Sequence, residues 1–226
     1  MNAVLHPILV PGFAALLGFG IAAWRRGAPA GLCLMLLAVT AALLWDNLVL
    51  AAGVRAEAGA WLERAHLGRF WLHACVTPLL IPVSLSLVRL AGAEWAGRAW
   101  AVAAVTFLAA GLITLELAAS VSRLRLKPVF DHGILTYEPV ERSAAGGWMI
   151  AAVMAALLAA GWIVFRRGGP AAPLAGALAM LIGGALAPLA GVPSLHNPFE
   201  LVLAASLWSG VYRLTARAPR LPETGG

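Results

Sequence analysis

The chain has 226 residues, of which 62% are hydrophobic and 12% charged, with a formal net charge of +6. No soluble domain of this length needs so much apolar surface, and the apolar residues fall in long runs rather than half-buried stripes. The basic excess sits in short Arg clusters at the ends of those runs, which excludes a nucleic-acid-binding surface, and Lys127, the only lysine, falls in a connection, which excludes a retinal Schiff base within the bundle.

A bilayer core of about 30 Å needs roughly 20 apolar residues per helix. On that length the sequence predicts seven membrane helices in an all-α polytopic domain over residues 1–216, followed by a short tail, 217–226. The first helix is Val4–Trp24. No basic stretch precedes it and Arg25-Arg26 follow it, the reverse of a cleaved signal peptide, so it is expected to be retained. The second is Gly31–Gly53. A connection over residues 54–68 comes next, within which Ala56–His66 has the character of a short surface helix. The third and fourth helices are Phe70–Leu90 and Gly97–Ser120. The long connection 121–147 contains an apolar, β-prone stretch, Val129–Tyr137, around Asp131-His132-Gly133, which predicts a hairpin. Both long connections lie on one side and have the length of binding loops or lids. The last three helices are Trp148–Phe165, Ala171–Gly191 and Pro198–Leu214. The Gly/Ala/Pro-rich sixth is expected inside the bundle, because small residues permit close backbone approach.

Positive charge sets orientation. Nine Arg residues fall on one side (25, 26, 89, 98, 166, 167, 213, 217 and 220), with Glu94 and Glu223 for company. Seven basic residues fall on the other: Arg55, Arg64, Arg69, Arg123, Arg125, Lys127 and Arg142, diluted by five acidic ones. The bias places the N-terminus outside and the C-terminus in the cytoplasm. Trp24, Trp71, Trp95, Trp148 and Trp162 fall near helix ends as an interfacial belt, whereas Trp45 and Trp208 lie deeper, where either core packing or a cavity wall would use them. Cys33 and Cys75 fall at different depths and read as small core residues rather than a disulfide. High Ala, Gly and Arg usage has the composition of a GC-rich bacterial genome, so the expected location is a bacterial inner membrane.

Ionisable residues inside apolar segments are costly, roughly 2.5–3.5 kcal/mol for a carboxylate near the centre of a span, and they mark function or internal pairing. Here there are six: His6, Asp46, His73, Glu116, His196 and Glu200, all predicted in the outer half of the bundle. His196 and Glu200 share a helix face by their spacing, as do His66, Arg69 and His73. Asn197 and Pro198 are predicted as N-cap and first helical residue, which would put Glu200 in the first turn. Three readings use this set. In the first, His73 and His196 with one or two carboxylates bind zinc or iron for metal-assisted chemistry on a lipid. In the second, Asp46, Glu200 and Glu116 perform metal-free acid catalysis on an isoprenoid, one carboxyl protonating an alkene or epoxide and another stabilising the cation. The third is non-enzymatic: an ion or proton relay, a carrier, or a haem held by two His. Polar residues that only pack helices, with Asp46 latched to Arg69, are the bland alternative. Arg69 otherwise offers a phosphate or carboxylate headgroup a cation, with Asn47 and Trp45 beside it. The inner half carries almost no ionisable groups, which favours a one-sided site over a through-pathway.

Trp45-Asp46-Asn47-Leu48-Val49 resembles the WDN-containing motif of the membrane lycopene cyclases, and Pro198-Phe199-Glu200 resembles part of that family's Pro-x-Glu-Glu motif, with Leu201 in place of the second acid. The resemblance covers eight residues. It implies a helical membrane terpene cyclase that works without a metal, with Asp46 and Glu200 as acid or cation-stabilising groups. It does not reach His73 or His196. The expected partner is a membrane lipid or isoprenoid.

Overall fold

The computed structural model describes residues 2–141 and 143–217. Arg142, Arg220, Glu223 and nearly all of the expected tail 217–226 lie outside the described residues. The chain is almost wholly helical: α1 (Asn2–Arg25), α2 (Ala30–Ala52), α3 (Ala60–Val76), α4 (Leu80–Leu90), α5 (Ala99–Glu116), α6 (Ala145–Arg166), α7 (Ala172–Leu189) and α8 (His196–Arg217). A tight turn, Thr77–Leu79, joins α3 to α4 where Pro78 removes a backbone donor, so the two act as one unit, Ala60–Leu90. Among the described residues, six units are long and apolar enough to cross a membrane: α1, α2, α3–α4, α5 with its last turn, α6 and α7. The last helix, α8, has 22 residues, about 33 Å at 1.5 Å per residue. Its first turns carry His196, Asn197 and Glu200, and it falls outside that class of six.

Two faces result. On one, arginines tie helix ends together: Arg167 Nε donates to Ala91 O (3.0 Å), Arg217 Nη1 to Gly168 O (2.8 Å) and Arg26 Nη1 to Tyr212 Oη (3.0 Å). Carbonyls at helix C-termini lack intrahelical partners, and cations there satisfy them. Arg167 and Arg217 therefore cap helix ends, whereas Arg26 ties α1 to α8 through a side-chain hydroxyl. On the opposite face, strands β1 (Leu126–Asp131) and β2 (Ile134–Pro139) form the antiparallel hairpin. His132 (φ 46°) and Gly133 (φ 91°) supply the two positive-φ residues that a tight two-residue hairpin turn requires.

The hairpin is docked. Leu135 N donates to Gly53 O (2.9 Å), and Leu126, Leu135 and Tyr137 pack on Val49 of α2 and on Leu62 and Ala65 of α3. Its tip is held by the buried Asn2, whose Nδ2 donates to Asp131 Oδ2 (2.9 Å) while its Oδ1 accepts from Ser194 (2.5 Å). This seat explains a difference from the sequence reading. The connection expected over 54–68 shortens to residues 53–59, and the predicted surface helix and third span are one continuous helix. No proline separates Ala60 from Phe70, and the single Gly68 is tolerated within the helix. The polar stretch Glu63–Arg69 projects beyond the apolar core, since 31 residues extend about 46 Å against a core of about 30 Å. The hairpin covers what projects.

The core lies between α2, α4, α6 and α8, around fully buried Trp208, Leu36, Leu87 and Val83. Trp208 takes the packing role. Its Nε1 donates to Thr40 Oγ1 (3.1 Å), and Gly20 leaves room for its ring, since a Cβ there would lie 2.5 Å from Cζ2. Trp45, in contrast, is 41% exposed. Cys33 is buried, Cys75 is partly buried and both are free thiols. The five Trp residues expected in the interfacial belt are all exposed.

α7 is peripheral rather than central. Its small residues, Gly176, Ala177, Gly183 and Ala187, line one face against α6 and α8, while Leu178, Ile182, Leu186 and Leu189 point outward. Close approach needs glycine on the partner as well: a Cβ on Gly161 would sit 2.7 Å from Leu174 Cα. A backbone atom cannot rotate away. Gly161→Ala is expected to destabilise by about 1–3 kcal/mol, the cost of overpacking, read as a lower thermal midpoint in detergent. An unchanged midpoint would show that this helix pair is loosely packed.

Candidate functional site

Asp46 lies six residues before the end of α2, and Arg69 lies in α3. Arg69 Nε donates to Asp46 Oδ1 at 2.6 Å, an ion pair with side chains 16% (Arg69) and 25% (Asp46) exposed. The other Asp46 oxygen accepts a longer bond, 3.4 Å, from Asn197 Nδ2 of α8. The same amide also donates to Asn47 Oδ1 (3.3 Å), which in turn accepts from His6 Nδ1 (3.0 Å). Asn47 Nδ2 donates to Leu43 O (2.9 Å). One network thus ties α1, α2, α3 and α8 together, and the two segments carrying the Trp-Asp-Asn and Pro-Phe-Glu signatures meet in it.

Hydrogen-bond logic fixes two histidine tautomers. A guanidinium only donates. Arg69 Nη1 lies 2.8 Å from His66 Nδ1, so that nitrogen is an acceptor and His66 is neutral, with its proton on Nε2. His66 is fully buried against the Tyr137 ring, and its Nε2 has no hydrogen-bond partner. His6 is the converse: Nδ1 donates to Asn47, and Nε2 is buried without a partner. Tyr137 closes the site from above by accepting from Gly59 N (3.1 Å). Tyr137→Phe removes that bond and is expected to cost about 0.5–1.5 kcal/mol, seen as faster proteolysis within the hairpin, with the bundle intact. Equal cleavage rates would mean that apolar packing alone holds the hairpin.

Three further residues lie within electrostatic range of the Asp46–Arg69 pair. Asp46 acts on His73 and His196, and Glu200 feels both Asp46 and Arg69. Glu200 is 14% exposed, with Oε1 3.8 Å from His196 Nε2. The short turn Pro193–Leu195 runs directly into α8, so the helix begins at His196 and Asn197 is not its N-cap. The Asn197 side chain serves Asp46 and Asn47 instead, and Glu200 becomes the fifth helical residue, two positions deeper than expected.

Glu116 stands apart. It ends α5 where the helix widens into a single π turn, Leu117–Val121, with Ser122 N donating to Leu117 O (2.9 Å). Such turns recur at functional sites. Glu116 is 9% exposed, Oε2 has no hydrogen-bond partner, and Gly146 of α6 lies against the carboxyl. The carboxyl lines a cavity of about 840 Å³ beneath the base of the hairpin, together with His73, Phe70, Ser120, Arg123 and Arg125. His73 belongs to both regions: it lines this cavity and interacts electrostatically with Asp46 and His196.

The expected residues therefore divide. Asp46, Asn47, Arg69, His196 and Glu200 come together with His73, whereas Glu116 joins them only through the cavity that His73 shares. Trp45 reaches neither the hydrogen-bond network nor the cavity wall among the described residues. Among the same residues, no three His, Cys, Asp or Glu side chains group closely enough to hold a metal ion. Sequence reasoning missed His66, Asn197, Ser120, Arg123 and Arg125 as members of the site. Asn197 carried a signal in its apolar setting, but helix capping explained it equally well. Comparison with protein-family models, curated proteins and solved structures returned no match.

Proposed function

We propose that this protein is a membrane-embedded enzyme that performs acid/base chemistry on a lipid or isoprenoid. The observation that carries the reading is the cavity beneath the hairpin base, walled by a nine-tenths-buried carboxyl with an unpartnered oxygen, Glu116, and by His73. Packing alone gives no reason to set such a carboxyl on the wall of roughly 840 Å³ of space. In this reading the chain crosses a bacterial inner membrane seven times, α8 being the seventh crossing, with the N-terminus outside and the C-terminus in the cytoplasm. Substrate enters from the bilayer beneath the segment 121–147.

The residues then take distinct roles. Glu116 delivers or removes a proton at the substrate. His73 carries protons between the cavity and the network, where Glu200 and His196 accept and return them. Asp46, fixed by Arg69 and Asn197, is the stationary negative charge that favours a developing cation. This is the acid/base chemistry that the Trp-Asp-Asn resemblance implies, with the cavity carboxyl added. A second reading is favoured by the Asp46–Arg69–His66 chain itself: a latch between α2 and α3 with no chemistry.

The test uses purified protein in nanodiscs, incubated in deuterated water with a bacterial lipid and isoprenoid extract and read by mass spectrometry. Acid/base chemistry at carbon predicts a product that carries solvent deuterium, formed by wild type and absent with Glu116→Gln. An unchanged extract with folded wild-type protein would leave the latch.

A further inference from the structure

We infer that the mouth of the Glu116 cavity is a subsite for a phosphate-bearing headgroup, held by Arg123 and Arg125. The ligand is then a phosphorylated amphiphile, a phospholipid or a prenyl phosphate, rather than a neutral hydrocarbon. The inference rests on the proposed function only in calling that ligand a substrate.

Arg123 and Arg125 both line the cavity. They are two residues apart on backbone held at both ends: Leu124 N donates to Val121 O (3.2 Å), and Val140 N donates to Arg125 O (2.9 Å), extending the hairpin ladder by one rung. Neither guanidinium has an acceptor among the described residues. Both side chains are exposed at the mouth of the cavity, where an arginine can also snorkel toward water or headgroups outside the protein. What distinguishes these two is the cavity they share, whose wall also carries Ser120 and Glu116. Two forked cations suit the several oxygens of a phosphate, which arginine binds in bidentate fashion. Glu141, exposed at the rim, and Glu116, buried deeper, are the acidic residues on the same wall. The volume, about 840 Å³, exceeds what a phosphate fills and leaves room for a chain to run past Glu116 and Phe70 toward the lipid.

Arg69, the cation that the sequence pointed to for a headgroup, has its Nε and Nη1 engaged by Asp46 and His66. The unengaged cations lie on the other wall, brought there by the turn between α5 and β1.

The experiment is a binding titration on full-length protein in nanodiscs of neutral phosphatidylcholine. The probes are farnesyl diphosphate, dioctanoyl phosphatidate, inorganic diphosphate and, as an uncharged control, farnesol. Wild type is expected to bind one or both phosphorylated amphiphiles with an affinity that falls as salt rises. R123Q/R125Q is expected to weaken that binding about tenfold or more while leaving farnesol unchanged. The tighter of the two amphiphiles identifies the source of the phosphate. Inorganic diphosphate binding as tightly as either would assign the site to a free anion and overturn the amphiphile. Farnesol binding as tightly as farnesyl diphosphate, or wild-type affinity indifferent to salt, would overturn the phosphate subsite, and neither needs a variant that folds. Phosphate binding without turnover would retain the subsite and remove only the enzymatic reading.

Discussion

Replacing Arg69 by Met, an unbranched apolar side chain, is expected to be the most destabilising single change in this protein. It strips Asp46 Oδ1 of its 2.6 Å partner and His66 Nδ1 of its 2.8 Å donor in one step. Breaking a buried ion pair on one side costs about 3–5 kcal/mol, and the partial exposure of both side chains places this pair near the lower end. For a chain of this size that is a fall of roughly 6–12 °C in thermal midpoint. Removing both charges is a different experiment. D46N/R69M leaves no orphan charge and is expected to recover most of the loss. The pair of variants separates the two readings of Asp46, with thermal melts and turnover measured on the same samples. If the ion pair is only a latch, the double variant is folded and active. If Asp46 also provides the fixed negative charge, the double variant is folded and inactive. A wild-type midpoint for Arg69→Met would sink both, because the pair would then contribute nothing.

Much of this arrangement was legible because burying charge is costly. Asp46, His196 and Glu200 stood out as ionisable residues in apolar runs, and a charge-based topology was enough to put them on one face. Asp131-His132-Gly133 announced the hairpin through the backbone conformations its turn demands. What stayed hidden depends on partners distant in the chain. Glu63, Arg64, His66 and Arg69 interrupt the hydropathy of the third span, so a hydropathy reading started the span at Phe70. The helix continues to Ala60 because a hairpin some 60–75 residues further on seats itself against Leu62 and Ala65. Asn197 looked like a cap since its local neighbours fit one. Its partners, Asp46 and Asn47, are 150 residues or more away. The π turn after Glu116 has no sequence signal at all, and without it neither Ser120 nor the two arginines could be assigned to a cavity.

The largest expected effect on activity is Glu116→Gln. The substitution keeps the shape of the side chain and removes its ability to give up or take a proton. General acid–base groups contribute about 10²–10⁴ in rate, so turnover in nanodiscs is expected to fall by at least a hundredfold. The thermal midpoint should hold, because the Glu116 Oε2 atom has no hydrogen bond to lose. That combination distinguishes a chemical role from a packing one, in which stability and activity fall together. Glu200→Gln is the informative companion. Glu200 sits in the polar network, 3.8 Å from His196, and does not line the cavity. If protons reach Glu116 through His73, Glu200→Gln slows turnover less than Glu116→Gln and alters its pH dependence. If instead Glu200 meets the substrate directly, the order of the two effects reverses, and the roles of the two carboxyls exchange while the acid/base reading stands. Glu57, exposed on the loop after α2, is the control, and its Gln variant is expected to match wild type. Equal turnover for Glu116→Gln and wild type would remove the cavity carboxyl from the chemistry, and with it the observation on which the enzymatic reading depends.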